Sequence, residues 1–147
     1  MMAVRIAVQA VFFVGLLLVI SFHDIKTRTI PDCFNGLVAL TMLVCFNPFH
    51  IFGLLTALPF LIAAICTGGM GGGDIKLMAA CGMVLGFSYG MLAEVIGLFL
   101  LLCYYAVYYL VRTIRKKGIE KSFPLAPFLS AGCIAAYMLR LQSYGFI

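Results

Sequence analysis

An all-α membrane protein, built as a single bundle of about six transmembrane helices over residues 1–147, is what this sequence predicts, and three observations predict it. The chain is 65% hydrophobic and only 10% charged, where a soluble domain carries about a quarter charged residues. A domain this small leaves much of its chain in contact with solvent, so most of that apolar surface must meet lipid. The apolar residues come in long runs separated by short polar breaks at His23–Asp32, Asn47-Pro48, Gly68–Lys76, Phe87–Gly90 and Arg112–Ser122. Finally, the basic residues are unevenly shared among those breaks.

Taken in order, the breaks delimit helices over 5–22, 33–46, 50–67, 76–87, 90–111 and 124–141. A spanning helix needs about 20 apolar residues, so the second and fourth are short for the task. The first run, Ile6 to Phe22, follows a lone Arg5 and precedes no small-residue cleavage pattern, so it is read as a retained helix and not as a signal peptide. If 33–67 and 76–111 are helical hairpins, the breaks at 23–32, 68–76 and 112–122 share one side. That side then holds Lys26, Arg28, Lys76, Arg112, Arg115, Lys116, Lys117 and Lys121, against Arg5 and Arg140 on the other. Positive charge accumulates on the cytoplasmic side of membrane proteins, so those loops are expected to be cytoplasmic and both termini outside. The expected location is the cytoplasmic (inner) membrane, with lipid as the surrounding partner. Tyr104, Tyr105, Tyr108 and Tyr109 crowd the same end of the fifth helix as an aromatic belt does. Gly82, Gly86 and Gly90, with Gly97 beyond, form a small-residue row of the kind that lets helices approach closely in lipid.

Other classes are disfavoured. A net charge of +5 is accounted for by membrane topology, and no aromatic–basic reader motif for nucleic acid is present. The cysteines Cys33, Cys45, Cys66, Cys81, Cys103 and Cys133 include no Cys-x-x-Cys pair, and His23 and His50 are far apart, so neither a metal nor a redox site is expected.

The acids carry the chemistry. There are five: Asp24, Asp32, Asp74, Glu94 and Glu120. A carboxylate at the edge of a hydrocarbon layer is costly, and such residues are paired or functional. Asp24 directly follows the first helix and Asp74 directly precedes the fourth, after Gly68-Gly69-Met70-Gly71-Gly72-Gly73. In the hairpin topology both lie at the same face and at similar depth. Two such carboxylates can share one proton, so that one activates water while the other polarises a peptide carbonyl. Glycines beside the second acid allow a partner helix or an extended substrate to pass close by. The run lacks the Lys-Ser/Thr ending of a phosphate loop. On the same residues a plainer reading stands. Asp74 and Asp32 can each serve the first turn of a helix, Asp32 being expected to cap the second. Lys76 can hold Asp74 ionised or anchor its helix at the headgroups. Glu94 is expected near the outer interface.

Three segments go further. Gly71-Gly72-Gly73-Asp74-Ile75-Lys76-Leu77 resembles the Gly-x-Gly-Asp-x-Lys-Leu signature of type IV prepilin peptidases. Asp24-Ile25-Lys26-Thr27-Arg28-Thr29-Ile30-Pro31-Asp32 resembles the segment around that family's first aspartate. Phe123-Pro124-Leu125-Ala126-Pro127-Phe128-Leu129 is similar to its C-terminal Pro-Phe-x-Pro-Phe-Leu stretch. The resemblance covers most of the chain. It implies an intramembrane aspartyl protease with Asp24 and Asp74 as the catalytic pair and Gly71, Gly73, Lys76, Pro31 and Asp32 in support. It further implies prepilin-like substrates, cleavage at the cytoplasmic face, and no cofactor or metal. The chain is similar to the compact peptidases of tight-adherence (Flp) pilus systems and to archaeal preflagellin peptidases. Only Met1 to Arg5 precede the first helix, without the cysteine-bearing insertion of the longer bifunctional enzymes, so N-methyltransferase activity is not expected. The competing readings are a small transporter or channel subunit with Asp24 and Asp74 as ion or proton ligands, and an assembly subunit without chemistry.

Overall fold

The computed structural model describes residues 2–67, 71–114 and 124–143, with the side chains of residues 2, 3 and 67 excepted. The glycine-run residues Gly68 and Gly69 with Met70, and the basic cluster Arg115, Lys116, Lys117 and Lys121 with Glu120, lie outside the described residues. Within them the regular structure is entirely helical: α1 (Met2–Thr27), α2 (Asp32–Leu40), α3 (Leu58–Thr67), α4 (Gly72–Leu85), α5 (Phe87–Ile114) and α6 (Ala126–Ser143), with 3₁₀ segments at Thr41–Cys45 and Pro48–Ala57. Three stretches, Val4–Thr27, Pro48–Cys66 and Phe87–Ile114, are long and apolar enough to cross a membrane. This is the all-α membrane fold that the composition predicts.

Helix α1 outruns its apolar stretch by five residues and carries Asp24 in its last turns rather than after its end. Its polar end is held by side chains folding back on the backbone. Thr27 Oγ1 donates to the His23 carbonyl at 2.9 Å, and His23 Nδ1 lies 3.0 Å from the Thr29 carbonyl. Arg28, at φ 55°, then turns the chain, its N–H donating to the Asp24 carbonyl at 2.8 Å. A left-handed residue just past a helix satisfies a carbonyl that would otherwise lack a partner.

Each of the two expected hairpins is made by a specific break. Leu40 leads into the 3₁₀ turn Thr41–Cys45, and the chain is then extended at Phe46 and Asn47. The Asn47 side chain accepts from Phe49 N at 3.1 Å, and Pro48 opens the next segment. The second break is Gly86, at φ 82°, which closes α4 and starts α5 one residue later. In the small-residue row, Gly86 is therefore a turn, while Gly82 and Gly90 are packing positions.

Helix α4 lies at the centre. Leu77, Met78, Ala80, Cys81, Gly82, Val84 and Leu85 are buried, and it touches α2, α5, α6 and the segment Pro48–Ala57. At 14 residues it is about 21 Å long, too short for a bilayer, but protein rather than lipid surrounds it. The 3₁₀ form of Pro48–Ala57 suits its neighbour. With three residues per turn, side chains three apart eclipse one another, and His50, Gly53 and Thr56 are the buried residues of this segment. The backbones of Gly53 and Gly82 meet directly, such that a Cβ on either would overlap the other's carbonyl. A Cβ on Gly90 would come within 2.6 Å of Thr56 Cγ2. Thr56 Oγ1 spends its own hydrogen on this junction, 2.7 Å from the Gly53 carbonyl and 3.2 Å from that of Met78. At the α5–α6 crossing Gly132 sits against Ala93 and Gly97 in the same way.

Glu94, expected near the outer interface, is covered by protein. It is buried, at 4% exposure, with Oε2 lacking a hydrogen-bond partner among the described residues. Of the four tyrosines near the end of α5, all but Tyr108 are exposed; Tyr104 stacks on Tyr108 and Tyr105 on Tyr109, and the Arg112 guanidinium lies 5.1 Å from the Tyr108 ring.

Replacing Gly82 or Gly53 by Val forces the α4 junction apart. Detergent-solubilised Gly82→Val and Gly53→Val are expected to aggregate or lose their cooperative thermal transition. Gly15→Ala and Gly36→Ala, where an added Cβ meets nothing within 4 Å, are expected to fold and to gain up to about 1 kcal/mol, the usual helix-interior difference.

Candidate active site

Four chain segments converge at one end of the bundle: the end of α1, the turn 28–31, the start of α4 and the start of α6. Asp24 is delivered by the polar last turns of α1 and is 6% exposed. Its Oδ2 accepts the N–H of Ala126 at 3.1 Å, the first residue of α6. A backbone N–H can only donate, so this oxygen is the acceptor. The amides that open a helix have no partner inside it and favour negative charge, which makes the start of α6 a suitable mate for a buried carboxylate. The resemblance already pointed to the stretch around Pro124 and Pro127, but its prolines needed no more than a helix start to explain them. What matters is the amide between them.

Asp74 lies inside the first turn of α4, one turn earlier than the apolar pattern placed the helix. The helix begins early because Gly71 takes an extended cap conformation and accepts the Asp74 N–H at 3.2 Å through its carbonyl. The glycines of the signature have separable jobs. A Cβ on Gly71 would stand 3.3 Å from Asp74 Oδ2, and one on Gly73 would stand 3.0 Å from Ile30 Cβ. Gly73 therefore lets the start of α4 rest on the Ile30-Pro31 turn, and Gly71 leaves the Asp74 carboxyl unobstructed. Asn35, which sequence reasoning missed, secures the same contact: it is buried, and its Nδ2 donates to the Gly73 carbonyl at 3.4 Å. Asn at one side of a helix otherwise facing apolar neighbours was the available signal.

The charge of Asp24 acts on Asp74. Burial first, and the nearby charge of Asp24 second, push the Asp74 carboxyl up to about 6 from an ordinary 3.8. Such a group holds its proton well above the usual carboxylate range, beside a second carboxylate that accepts a hydrogen bond. This arrangement can relay a proton.

Asp32 and Lys76 take a different part. Asp32 does not cap α2: the cap position is Pro31, without a side-chain hydrogen bond, and Asp32 is the first helical residue. Its Oδ2 pairs with Lys76 Nζ at 2.7 Å. The ion-pair partner of Lys76 is thus Asp32 and not Asp74. Pro31 supplies the extended geometry that turns the chain into α2. Both ends of the ion pair are more than half exposed, so the pair joins α2 to α4 weakly, by less than about 1 kcal/mol. Among the described residues no group of three or more His, Cys, Asp or Glu side chains could hold a metal ion.

The pH dependence of stability has a fixed sign. Because folding raises the Asp74 carboxyl from 3.8 to about 6, the folded state favours its protonated form. That advantage is complete below 3.8 and is lost as pH rises through about 6. Asp74→Asn, which keeps a neutral group there, is expected to be more stable than the wild type at pH 8 by about 1–2 kcal/mol. The gain should vanish below pH ~4. Thermal melts in neutral detergent across that range measure it. Asp32→Asn is expected to change stability by less than about 1 kcal/mol at either pH.

Comparison with known proteins accords with this geometry. Residues 11–110 match the model of the type IV leader peptidase family. The chain is 36% identical over 138 residues to the prepilin leader peptidase/N-methyltransferase of Bacillus subtilis (strain 168), a match that covers 88% of this chain and 54% of that protein. It therefore spans about half the length of this curated relative. No solved structure matches it significantly. With the family model matching well over half of the residues, this chain belongs to the type IV leader peptidase family.

Proposed function

We propose that the protein is an intramembrane aspartyl endopeptidase. It removes the short basic leader from type IV prepilin-like precursors (pilins, pseudopilins or Flp-type subunits) at the cytoplasmic face of the inner membrane. The observation that carries the reading is the pairing of unlike carboxyls. Asp24 presents an oxygen that accepts from Ala126 N–H, and Asp74 beside it retains its proton up to about 6. Membership of the family supports the peptidase activity.

In the proposed reaction water lies between the two acids. Asp24 takes a proton from it, and the protonated Asp74 passes its own proton to the scissile carbonyl oxygen. The water oxygen bonds to the carbonyl carbon, giving a tetrahedral adduct. The proton held by Asp24 then passes to the departing nitrogen, and the carbon–nitrogen bond breaks. Asp74 regains its proton as the carbonyl reforms. The Gly71–Gly73 segment leaves room for an extended stretch of substrate beside the acids, as hydrolysis of a helical segment requires.

The cytoplasmic placement is supported by charge. The described cations at the aspartates' end are Lys26, Arg28, Lys76 and Arg112, whereas Arg5 and Arg140 lie at the opposite ends of α1 and α6. A leader that is itself basic stays on the cytoplasmic side by the same rule. The name of the Bacillus relative also includes an N-methyltransferase. No Gly-rich nucleotide fingerprint occurs in this chain, and the proposal is for the peptidase alone.

Purified protein in liposomes is expected to cut a prepilin behind its leader, read from the new N-terminus of the product. Asp24→Asn and Asp74→Asn should each reduce cleavage by at least about 10³-fold while remaining folded, because each removes one half of the proton relay. Either variant cutting at the wild-type rate would sink the pair. The wild-type kcat/KM should decline as pH rises above about 6, where Asp74 gives up its proton; a rate flat to pH 9 would remove Asp74 from the role of proton donor.

A further inference from the structure

At the other end of the bundle is a second polar site that the aspartyl chemistry does not use. The start of α1, the break between the two 3₁₀ segments and the end of α6 enclose a cavity of about 380 Å³. This is within the range of small-ligand pockets, roughly 300–1,000 Å³. Arg5 and Arg140 line it together with His50, and Ile6, Phe46 and Leu141 supply an apolar wall. Among the described residues, two guanidiniums and a histidine face one space, and the lining holds no Asp or Glu.

The hydrogen bonds around His50 indicate what the space lacks. Arg140 Nη1 donates to the Val84 carbonyl at 2.6 Å, and its Nη2 lies 3.3 Å from His50 Nε2. A guanidinium has donors and no acceptor, so Nε2 is the acceptor here and the neutral ring carries its hydrogen on Nδ1. That Nδ1 is buried and has no partner among the described residues, on a residue only 8% exposed. The opposite edge of the ring rests against Gly86, where a Cβ would stand 3.4 Å from Cδ2. The other polar side chains of the wall are already committed. Gln9 Nε2 donates to the Thr41 carbonyl at 3.0 Å, and the Tyr137 hydroxyl lies 3.3 Å from Gln9 Oε1. A buried donor without an acceptor is costly, and its residue shares the cavity lining with two cationic side chains.

We propose that this cavity binds the phosphodiester headgroup of an anionic phospholipid, with Arg5 and Arg140 neutralising the phosphate, His50 Nδ1–H donating to one of its oxygens, and the apolar wall receiving the start of an acyl chain. Position selects a lipid over a free anion. Arg5 and Asp24 stand 19 residues apart on one helix, about 28 Å, which is one hydrocarbon thickness. The cavity is thus at headgroup depth when the aspartates are at the opposite membrane surface, and its wall joins cationic and apolar groups as an amphiphile requires.

The full chain in a neutral maltoside detergent is titrated with dihexanoylphosphatidylglycerol, dihexanoylphosphatidylcholine or inorganic phosphate, and the thermal midpoint is read. Phosphatidylglycerol is expected to raise it saturably, with the other two giving little. Arg5→Gln replaces an exposed side chain at the cavity rim and is expected to fold. It should weaken the apparent affinity for phosphatidylglycerol about tenfold, the loss of one charge-assisted contact. Arg140→Lys, which keeps the charge but loses the fork, is expected to weaken it as well. Equal responses to phosphatidylcholine and phosphatidylglycerol, no response to either, or an unchanged affinity in Arg5→Gln would overturn the site. A full response to phosphate alone would overturn the lipid assignment in favour of a free anion.

Discussion

Everything at the aspartate end of the bundle depends on a short helix being shielded from lipid. Helix α4 carries Asp74, and its 14 residues are too few to span a bilayer. It holds its place because other helices surround it, and the closest of those contacts is backbone on backbone, at Gly53 and Gly82. In lipid, apolar side chains gain little by leaving the hydrocarbon for another helix, so association falls to close packing and to hydrogen bonds between helices. Thr56 provides both at once. Its methyl lies over Gly90 and its hydroxyl is bonded to carbonyls of its own segment and of α4. A helix so enclosed needs no single apolar face, and α4 is buried on nearly every side.

The enclosure determines the surroundings of Asp74 in turn. A carboxyl at the tip of a lipid-facing helix can reach headgroup water, as Lys and Arg side chains do. Asp74, on a protein-covered helix, is partly desolvated, and that desolvation is the larger cause of its raised proton affinity. Asp24 comes to the same place from α1, and its burial is offset by the free amide at the start of α6. Two identical side chains thus have unlike surroundings. One has a helix-opening N–H; the other has apolar cover and a neighbouring charge. The ion pair between Asp32 and Lys76 keeps the signature lysine out of this balance, since Lys76 is held by a different acid.

Much of this architecture is legible in the amino acids alone. Apolar runs and polar breaks indicate the number and order of helices, because lipid imposes a length and a polarity on each. The two aspartates stand out because charge is scarce in such a chain. Helix ends are less legible. His23 and Thr27 extend α1 through side chain–backbone bonds, and Gly71 starts α4 ahead of its apolar residues; hydropathy registers neither. The 3₁₀ form of Pro48–Ala57 is hidden because its period of three is visible only once the partner α4 shows which residues are covered. Ala126 is hidden for a stricter reason. Its contribution is a backbone amide, which every residue but proline possesses, so no residue type at that position can announce it.

The two ends of the bundle are also coupled by construction. Helix α1 bears Arg5 and Asp24, and α6 bears Arg140 and, through Ala126, the amide that meets Asp24. Both helices therefore run from the cationic cavity to the acid pair, and they pack against one another, with Phe13 and Tyr137 5.4 Å apart between ring centroids. A shift of α6 along its axis moves Arg140 at one end and the Ala126 N–H at the other by the same amount. At 3.1 Å, that bond tolerates only a few tenths of an ångström before it weakens. The depth at which α6 is anchored therefore sets the hydrogen bond to Asp24. In a protein whose helices meet through glycines and whose acids sit at their tips, axial position is the coordinate to which this contact responds.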